Sequence, residues 1–382
     1  MFKDFHRRNT IPILVTLIAI TLLTLLPNKF PQKIYENTQR VSAKVLSTDE
    51  SFIINTGLIK TGEQLCEIEI LEGKFKGKVT RGTNRLSGSL EEDKIFQIGD
   101  KILVTIDYTG DEIRVATLVD HYRLNYEILL IAIFVVVLIG FAGIVGIKSI
   151  LSFIFTVLAM WKVLIPLFLQ GYNPVIVGII TTMILIITII VLVYGIDKKS
   201  LAAIIGSLCG ALVTCFMALF FVNKFKIHGA VMSYSESLLY SGYENLNLTQ
   251  IFIASIFIAS SGAVMDVAVD ITSAVAEVIE KKPSIGKMEA IKSGINVGRS
   301  IMGTMMTTLL LAYSGGYIGL LMVFMAQGTP IINILNLKYV SSEILHTLIG
   351  SFGLVTVAPF TALASGILLV KIKNDADVHS NK

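Results

Sequence analysis

From residue 126 onward the chain alternates between apolar runs of about twenty residues and short polar joints. Runs at 126–146, 149–169, 174–194, 201–222, 249–275, 300–326 and 344–370 match the roughly 20 residues an α-helix needs to cross a hydrocarbon core of about 30 Å. Asn173-Pro174 opens one of them with a capping side chain and a proline at the first helical position, where the missing N–H costs nothing. An earlier run, 11–26, follows Lys3, Arg7 and Arg8 and is succeeded by LLPNKFPQK, without a small-x-small cleavage pattern. It therefore reads as a retained anchor rather than a signal peptide, which makes about eight spanning helices.

Between the anchor and the other spans, residues 33–122 carry a different pattern. RVSAKVLS, SFIINTGL, LCEIEILEG and DKILVTIDY alternate apolar and polar positions, and Gly73, Gly77, Gly82, Gly88, Gly99 and Gly110 punctuate them. Short strands at this spacing predict a small β-barrel or open sandwich of OB or SH3-like kind, with EGKFKGKV as a hairpin whose lysines face solvent. Phe52, Phe75, Phe96 and Tyr108 are too dispersed for the stacking platform of a single-strand binder, so no nucleic-acid partner is expected. A rigid module for assembly or for capping the helical part is the reading retained.

Composition agrees with a polytopic helical membrane protein: 53% hydrophobic and 16% charged residues lie outside the range of a soluble globular chain. The net charge of +4 matters less than its placement. Lys3/Arg7/Arg8, Lys148, Lys198/Lys199, Lys281/Lys282/Lys287/Lys292/Arg299 and Lys371/Lys373 fall on one side of the predicted spans, with Lys224 and Lys226 against the trend. The positive-inside rule then gives cytoplasmic termini and an extracytoplasmic β module in a cell membrane. The expected domains are 1–32 (cytoplasmic tip and anchor), 33–122 (β module), 123–370 (seven-helix region) and 371–382 (cytoplasmic tail). Cys66, Cys209 and Cys215 form no disulfide framework, and Cys and His show no metal-ligand spacing, so neither cofactor nor metal is expected.

The costly stretch is 248–280. At 100° per residue Ser255, Ala259, Gly262, Asp266, Asp270, Ser273, Glu277 and Glu280 share one narrow arc, opposite Phe257, Val264, Ile271 and Val275. An Asp at the centre of a spanning helix costs about 2.5–3.5 kcal/mol, so the oily arc is expected towards lipid and the carboxylates towards neighbouring helices or a wet cavity. Asp266 and Asp270, one turn apart, are the candidate ion or substrate site. Pairing with Lys281, Lys282 or Arg299 at the end of the span is the plainer alternative. Arg299 is placed to meet Asp270 or Glu277, Thr304 and Thr307 add small polar groups, and Lys162 either snorkels beside Trp161 or serves as counter-ion to a carboxylate. AVMSYSESLLY and SIGKMEAIKSGIN read as short helices at the membrane surface, the second with Ile285, Met288, Ile291 and Ile295 on one face. Ser314 and His346, near the outer ends of adjacent spans, raise an intramembrane hydrolase as a distant reading, although nothing orients the His.

GAVMDVAVDITSAVAEV (262–278) followed by GRSIMGTMMTTLLLAYSGG (298–316) resembles the signature region of the YibE/F-like family, and the anchor, β module and seven-helix order resembles its longer members. The resemblance implies a bacterial cell-membrane protein of transporter type with no established substrate and no assigned catalytic residues. It puts Gly262, Asp266, Gly298, Arg299, Gly303, Thr304 and Tyr313 at signature positions. Ser300 and Thr307 depart from the family pattern, where an acid after the Arg and an Asn one turn on are common; the departure implies a weaker site or dependence on a partner subunit.

The sequence thus predicts a permease or permease subunit of unknown substrate, coupled to H⁺ or Na⁺ through intramembrane carboxylates. Its expected partners are the lipid bilayer, a small solute or ion, and a second copy or second family member. The alternative is a non-transporting scaffold or envelope assembly or stress factor that recognises partners through the β module.

Overall fold

The computed structural model describes residues 2–27 and 37–370. Residues 28–36 and 371–382, with Lys371 and Lys373, and the side chains of Lys3, Arg7 and Arg8 lie outside the described residues. Two compact units form, one from Phe30–Phe141 and one from Met1–Lys29 with Ala142–Lys382.

In the first unit the alternating segments become β1 (Thr38–Asp49), β2 (Ile53–Thr56), β3 (Ile59–Ile70), β4 (Val79–Ser87), β5 (Lys101–Thr109) and β6 (Glu112–His121). Strand order β1–β5–β6–β4–β3, closed by β1 pairing again with β3, makes a five-strand barrel with β2 as a short extension of β3. Closure leaves few strand edges exposed. Val41, Val45, Ile68, Ile70, Ile102, Val104 and Ile106 point inward at period two. A buried amide pair pins the irregular stretch before β5. Gln64 donates to the Phe96 carbonyl (2.8 Å) and accepts from its N–H (3.0 Å), while Asn84 donates to Gln64 (3.1 Å) and to the Lys94 carbonyl (2.7 Å).

The EGKFKGKV lysines do more than face solvent. Lys74 donates to the Gly110 carbonyl (2.7 Å) and pairs with Asp111 (2.9 Å), and Lys78 donates to the Asp111 carbonyl (2.8 Å), so this loop clasps the β5–β6 turn. Phe75 between them is buried edge-on against Tyr108, with centroids 5.2 Å apart. Burial pushes the Cys66 thiol up to about 11.

The helices are α1 (Phe2–Leu25), α2 (Leu124–Ala142), α3 (Ile144–Ala159), α4 (Ile165–Leu169), α5 (Pro174–Tyr194), α6 (Lys198–Lys224), α7 (Ser235–Tyr240), α8 (Leu248–Lys281), α9 (Lys287–Ser314), α10 (Ile318–Ala326), α11 (Ile331–Asn336) and α12 (Lys338–Leu369). A π-helical turn, Met160–Leu164, joins α3 to α4, and a 3₁₀ turn, Gly315–Tyr317, joins α9 to α10. Seven of the segments, at the predicted positions, are long and apolar enough to cross a membrane. The apolar part of α1, Thr10–Leu25, is shorter. Its 16 residues reach about 24 Å at 1.5 Å each, short of a full hydrocarbon core.

Two surface-helix expectations change. SIGKMEAIKSGIN is not a separate interfacial helix, because α9 continues through it; Gly294 and Gly298 let α9 lie against α8 and α12, and only Met288 of the proposed face stays exposed. In AVMSYSESLLY a 3₁₀ turn buries Val231 before the one-turn α7.

In the second unit α12 and α8 lie at the centre, packed on α6, α9 and α5. Contact is close because glycine stands where helices cross. A Cβ on Gly206 would strike Thr361, and one on Gly298 would stand 2.8 Å from Ala358 and 3.0 Å from Ile271. Where these helices cross there is no room for a larger residue, and association of spans rests on such van der Waals contact.

Gly206→Val should therefore lower the thermal midpoint of the detergent-solubilised protein, an overpacking loss of about 1–3 kcal/mol. Gly303→Val, at an open position, should leave it unchanged. In the barrel, Asp93 accepts from the Ser87 and Gly88 N–H groups (2.9 and 2.6 Å), which hold its carboxyl below the usual range. Its contribution is present above an unfolded pKa of about 3.9 and is lost as pH falls through the lower folded value. Hydrogen exchange at Ser87 and Gly88, corrected for intrinsic rate, should lose protection there, and Asp93→Asn should show weak protection at every pH.

Candidate functional site

The α8 arc is turned the opposite way from the sequence expectation. Val264, Ile271 and Val275 are 0% exposed and Phe257 is 1% exposed, whereas Asp266, Asp270, Ser273 and Glu277 are exposed. The reason is position. α8 is a central helix with α5, α6, α9 and α12 around it, so its broad apolar arc is consumed by packing, and the acids occupy its one open side.

Their depth also differs between the two. The 34 residues of α8 extend about 51 Å at 1.5 Å per residue, more than the hydrocarbon core, so the helix projects from the membrane. Tyr194, at the end of α5, lies within electrostatic range of both acids. Val269, Thr272 and Ser273 line a cavity of about 250 Å³ together with Tyr194, Asp197, Lys199 and Ser200. That cavity sits where α5 turns into α6, at the end of the bundle bearing Lys198, Lys199, Lys281 and Lys282, here termed the basic end. Asp270 is thus level with the last turn of α5, and Asp266 lies one turn further in.

The hairpin's ion pairs are Lys281–Glu277 (2.6 Å) and Lys282–Glu289 (2.7 Å). Among the described residues Arg299 forms no ion pair, in contrast to its expected pairing with Asp270 or Glu277. Gly262, Gly303, Thr304 and Thr307 have open space or solvent beside them, and the threonine hydroxyls donate back to Ile301 and Gly303 within their own helix. The Lys162 ammonium donates to the Leu26 carbonyl (3.2 Å) beyond the end of α1. Lys148, counted from sequence only as a topology marker, is buried and donates to the Val193 carbonyl (3.3 Å) in the last turn of α5, where a cation offsets the unsatisfied carbonyls.

A second cluster lies at the other end, and sequence reading found only part of it. Glu343 and His346 stand one turn apart in the first half of α12. The His346 ring stacks on Tyr313 of α9, centroids 4.4 Å apart and planes inclined by 23°. The Tyr317 hydroxyl reaches the Glu343 carboxyl group. Even so, Glu343 Oε1 and His346 Nε2 are buried without a hydrogen-bond partner in the structure. Beside Glu343 is an open, apolar-walled groove of about 250 Å³ lined by Ser314, Tyr317, Leu321, Glu343, Thr347 and Leu348 among others. Ser314, paired with His346 in the hydrolase reading, donates instead to the Leu310 carbonyl (2.6 Å). The signal for Glu343 was present in SSEILHTLIG, an ionisable residue i,i+3 from a His at the start of an apolar span.

Seven apolar helices of spanning length, with ionisable side chains held within them, define a polytopic helical membrane protein that carries a β-barrel module. The chain matches the YibE/F-like protein family over residues 130–371 and the YibE/F family N-terminal domain over residues 33–120, and it belongs to that family. Comparison with curated proteins and with solved structures gave no match.

In a background lacking the native cysteines, single cysteines should react with a water-soluble maleimide in the order Asp270→Cys, then Asp266→Cys, with Val264→Cys unreactive. Equal rates at all three positions would contradict the placement of this arc.

Proposed function

We propose that the protein is a permease, or the membrane subunit of one, coupled to a cation through carboxylates within its spans. The observation that carries this reading is the Glu343–His346 pair, whose polar atoms are buried without partners among apolar helices, with Glu343 at the edge of a groove between α9, α10 and α12. An unsatisfied buried polar group costs about 1–3 kcal/mol, and ionisable groups kept in membrane spans at such cost mark ion and substrate paths. Asp266, Asp270 and the cavity at Tyr194–Ser200 supply polar groups at the opposite, basic end. On this reading a proton or cation is taken at one end and released at the other.

The lysines of the α5–α6 and α8–α9 turns support a cytoplasmic basic end, and hence an extracytoplasmic barrel and Glu343 cluster in a cell membrane. The substrate is a small solute or ion, and a second copy or second family member completes the assembly. A scaffold or envelope assembly role draws support from the closed barrel, but it leaves the unpartnered Glu343 and His346 atoms without use.

In proteoliposomes loaded with a pH-sensitive dye, an imposed cation gradient should drive proton movement through the wild-type protein. Glu343→Gln should reduce the initial rate about tenfold or more, in line with removal of a general acid–base group. Asp266→Asn should reduce it less. Equal rates for wild type, Glu343→Gln and protein-free vesicles would overturn the proposal.

A further inference from the structure

The barrel joins α2 through Tyr122 and Arg123 alone, the residues between β6 and the helix. At most about 11 Å of chain separates His121 from Leu124, so one end of the barrel stands at the surface of the leaflet that α2 enters. Tyr122 and Tyr126, on either side of the start of α2, carry the amphipathic rings that favour headgroup level. The strand register shows what else shares that level. β4 and β6 pair in parallel at Thr83–Thr117, which sets Ser87 level with His121, and Thr61 of β3 lies opposite Ser87. Three residues further on from that pair, Leu58 in the β2–β3 turn and Leu90 after β4 are level with the start of α2. On the other side of β6 the Tyr122 N–H donates to the Lys101 carbonyl (2.8 Å). Ile98, just before Lys101, sits at the tip of a turn closed by the Asp100 N–H on the Gln97 carbonyl (3.1 Å).

Leu58, Leu90 and Ile98 are also the most exposed large apolar side chains of the barrel, at 85%, 72% and 70%. They come from three separate segments and gather at one end. Leu58 and Leu90 share a groove of about 160 Å³ with Leu86 and Ile95, which makes the apolar surface continuous between them. The turns at the opposite end, 71–78 and 109–112, expose mainly glycines and charged residues and bury Phe75. Apolar residues scattered singly over a surface need no explanation. Three at one level, beside the start of a spanning helix, do. Charge does not account for them, because Lys60 and Lys94 border the groove while Glu91 and Glu92 follow Leu90 directly.

We propose that this end of the barrel docks on the lipid bilayer, with Leu58, Leu90 and Ile98 dipping into the leaflet that α2 enters. Apolar side chains held at that level reach the boundary between headgroups and acyl chains, and the long stems of Lys60 and Lys94 let their ammonium groups return to the headgroups. A joint of two residues would by itself let the barrel swivel on α2. Contacts on three turns besides that joint fix its axis instead. The end bearing Lys76 and the β5–β6 turn is then held off the membrane by the length of β5, nine residues or about 30 Å of strand. The inference concerns the barrel and α2 only and is independent of the permease reading.

The test uses the full chain in lipid nanodiscs, freed of its native cysteines and carrying a polarity-sensitive fluorophore on Leu58→Cys, Leu90→Cys, Ile98→Cys or, at the far end, Lys76→Cys. All four positions are exposed, and a monodisperse elution profile shows that each labelled chain is folded. Emission from the first three should be blue-shifted relative to Lys76→Cys. It should also be lost when lipid bearing a nitroxide at the top of its acyl chain is included, whereas emission from Lys76→Cys is kept. Because the contact is apolar, the same loss is expected in zwitterionic and anionic lipid and at high salt. Emission typical of water at all four positions overturns the proposal. So does a blue shift without loss to nitroxide lipid, which reports a protein covering this end, and so does a loss confined to anionic lipid at low salt, which reports an electrostatic contact.

Discussion

Close approach of α12 to α6, α8 and α9 is the constraint on which the helical unit depends. Lipid tails are as apolar as leucine, so these helices gain little by hiding oily surface from their surroundings and must gain by contact. Gly206 against Thr361, and Gly298 against Ala358 and Ile271, bring the backbones near enough for dispersion contacts to accumulate. Polar pairing between helices adds little by comparison, the Thr272–Ser365 hydroxyl contact at 3.2 Å being one buried instance.

This packing decides where the ionisable groups go. With α8 enclosed on most of its circumference, its acids have one free side, and they fall towards the end where α5 stops and water is near. α12 is enclosed over most of its length, and near its start the inner side packs on α8 through Leu345 and Ile349 while the other side faces the end of α9 and the start of α10 across a groove. Glu343 and His346 lie in that looser region, and the groove there is what the packing leaves unfilled. Two polar loci at opposite ends of one tightly packed bundle follow from the same geometry. Lys148 on the Val193 carbonyl shows the opposite treatment of a buried charge, satisfied by a helix end.

Much of the architecture was legible because its signals are local. The positions of seven spans, the Asn173-Pro174 start, the period-two strands and most of the glycine turns depend on near neighbours in sequence and recur in the structure, whereas the 11–26 run is too short to count as an eighth span and Gly82 lies inside β4, not at a turn. The face assignment on α8 was not legible. A helical wheel shows that two arcs differ, but which arc is covered depends on how many neighbours the helix has, a property of the whole bundle. The Glu343 cluster escaped for a related reason: Tyr313 and Tyr317, one turn apart where α9 passes through a 3₁₀ turn into α10, meet Glu343 only because α9 packs against α12. Likewise the lysines of EGKFKGKV looked like solvent-facing residues until the β5–β6 turn arrived beneath them.

The central claim of the permease proposal is that a carboxylate within the spans, Glu343, couples the protein to a cation. Infrared difference spectra of the protein in nanodiscs, recorded on exchange of choline for sodium, address it most directly. The account predicts loss of a protonated carboxyl band together with gain of carboxylate bands, both absent in Glu343→Gln. A spectrum without change in the carboxyl region, or one that persists unaltered in Glu343→Gln, would contradict it.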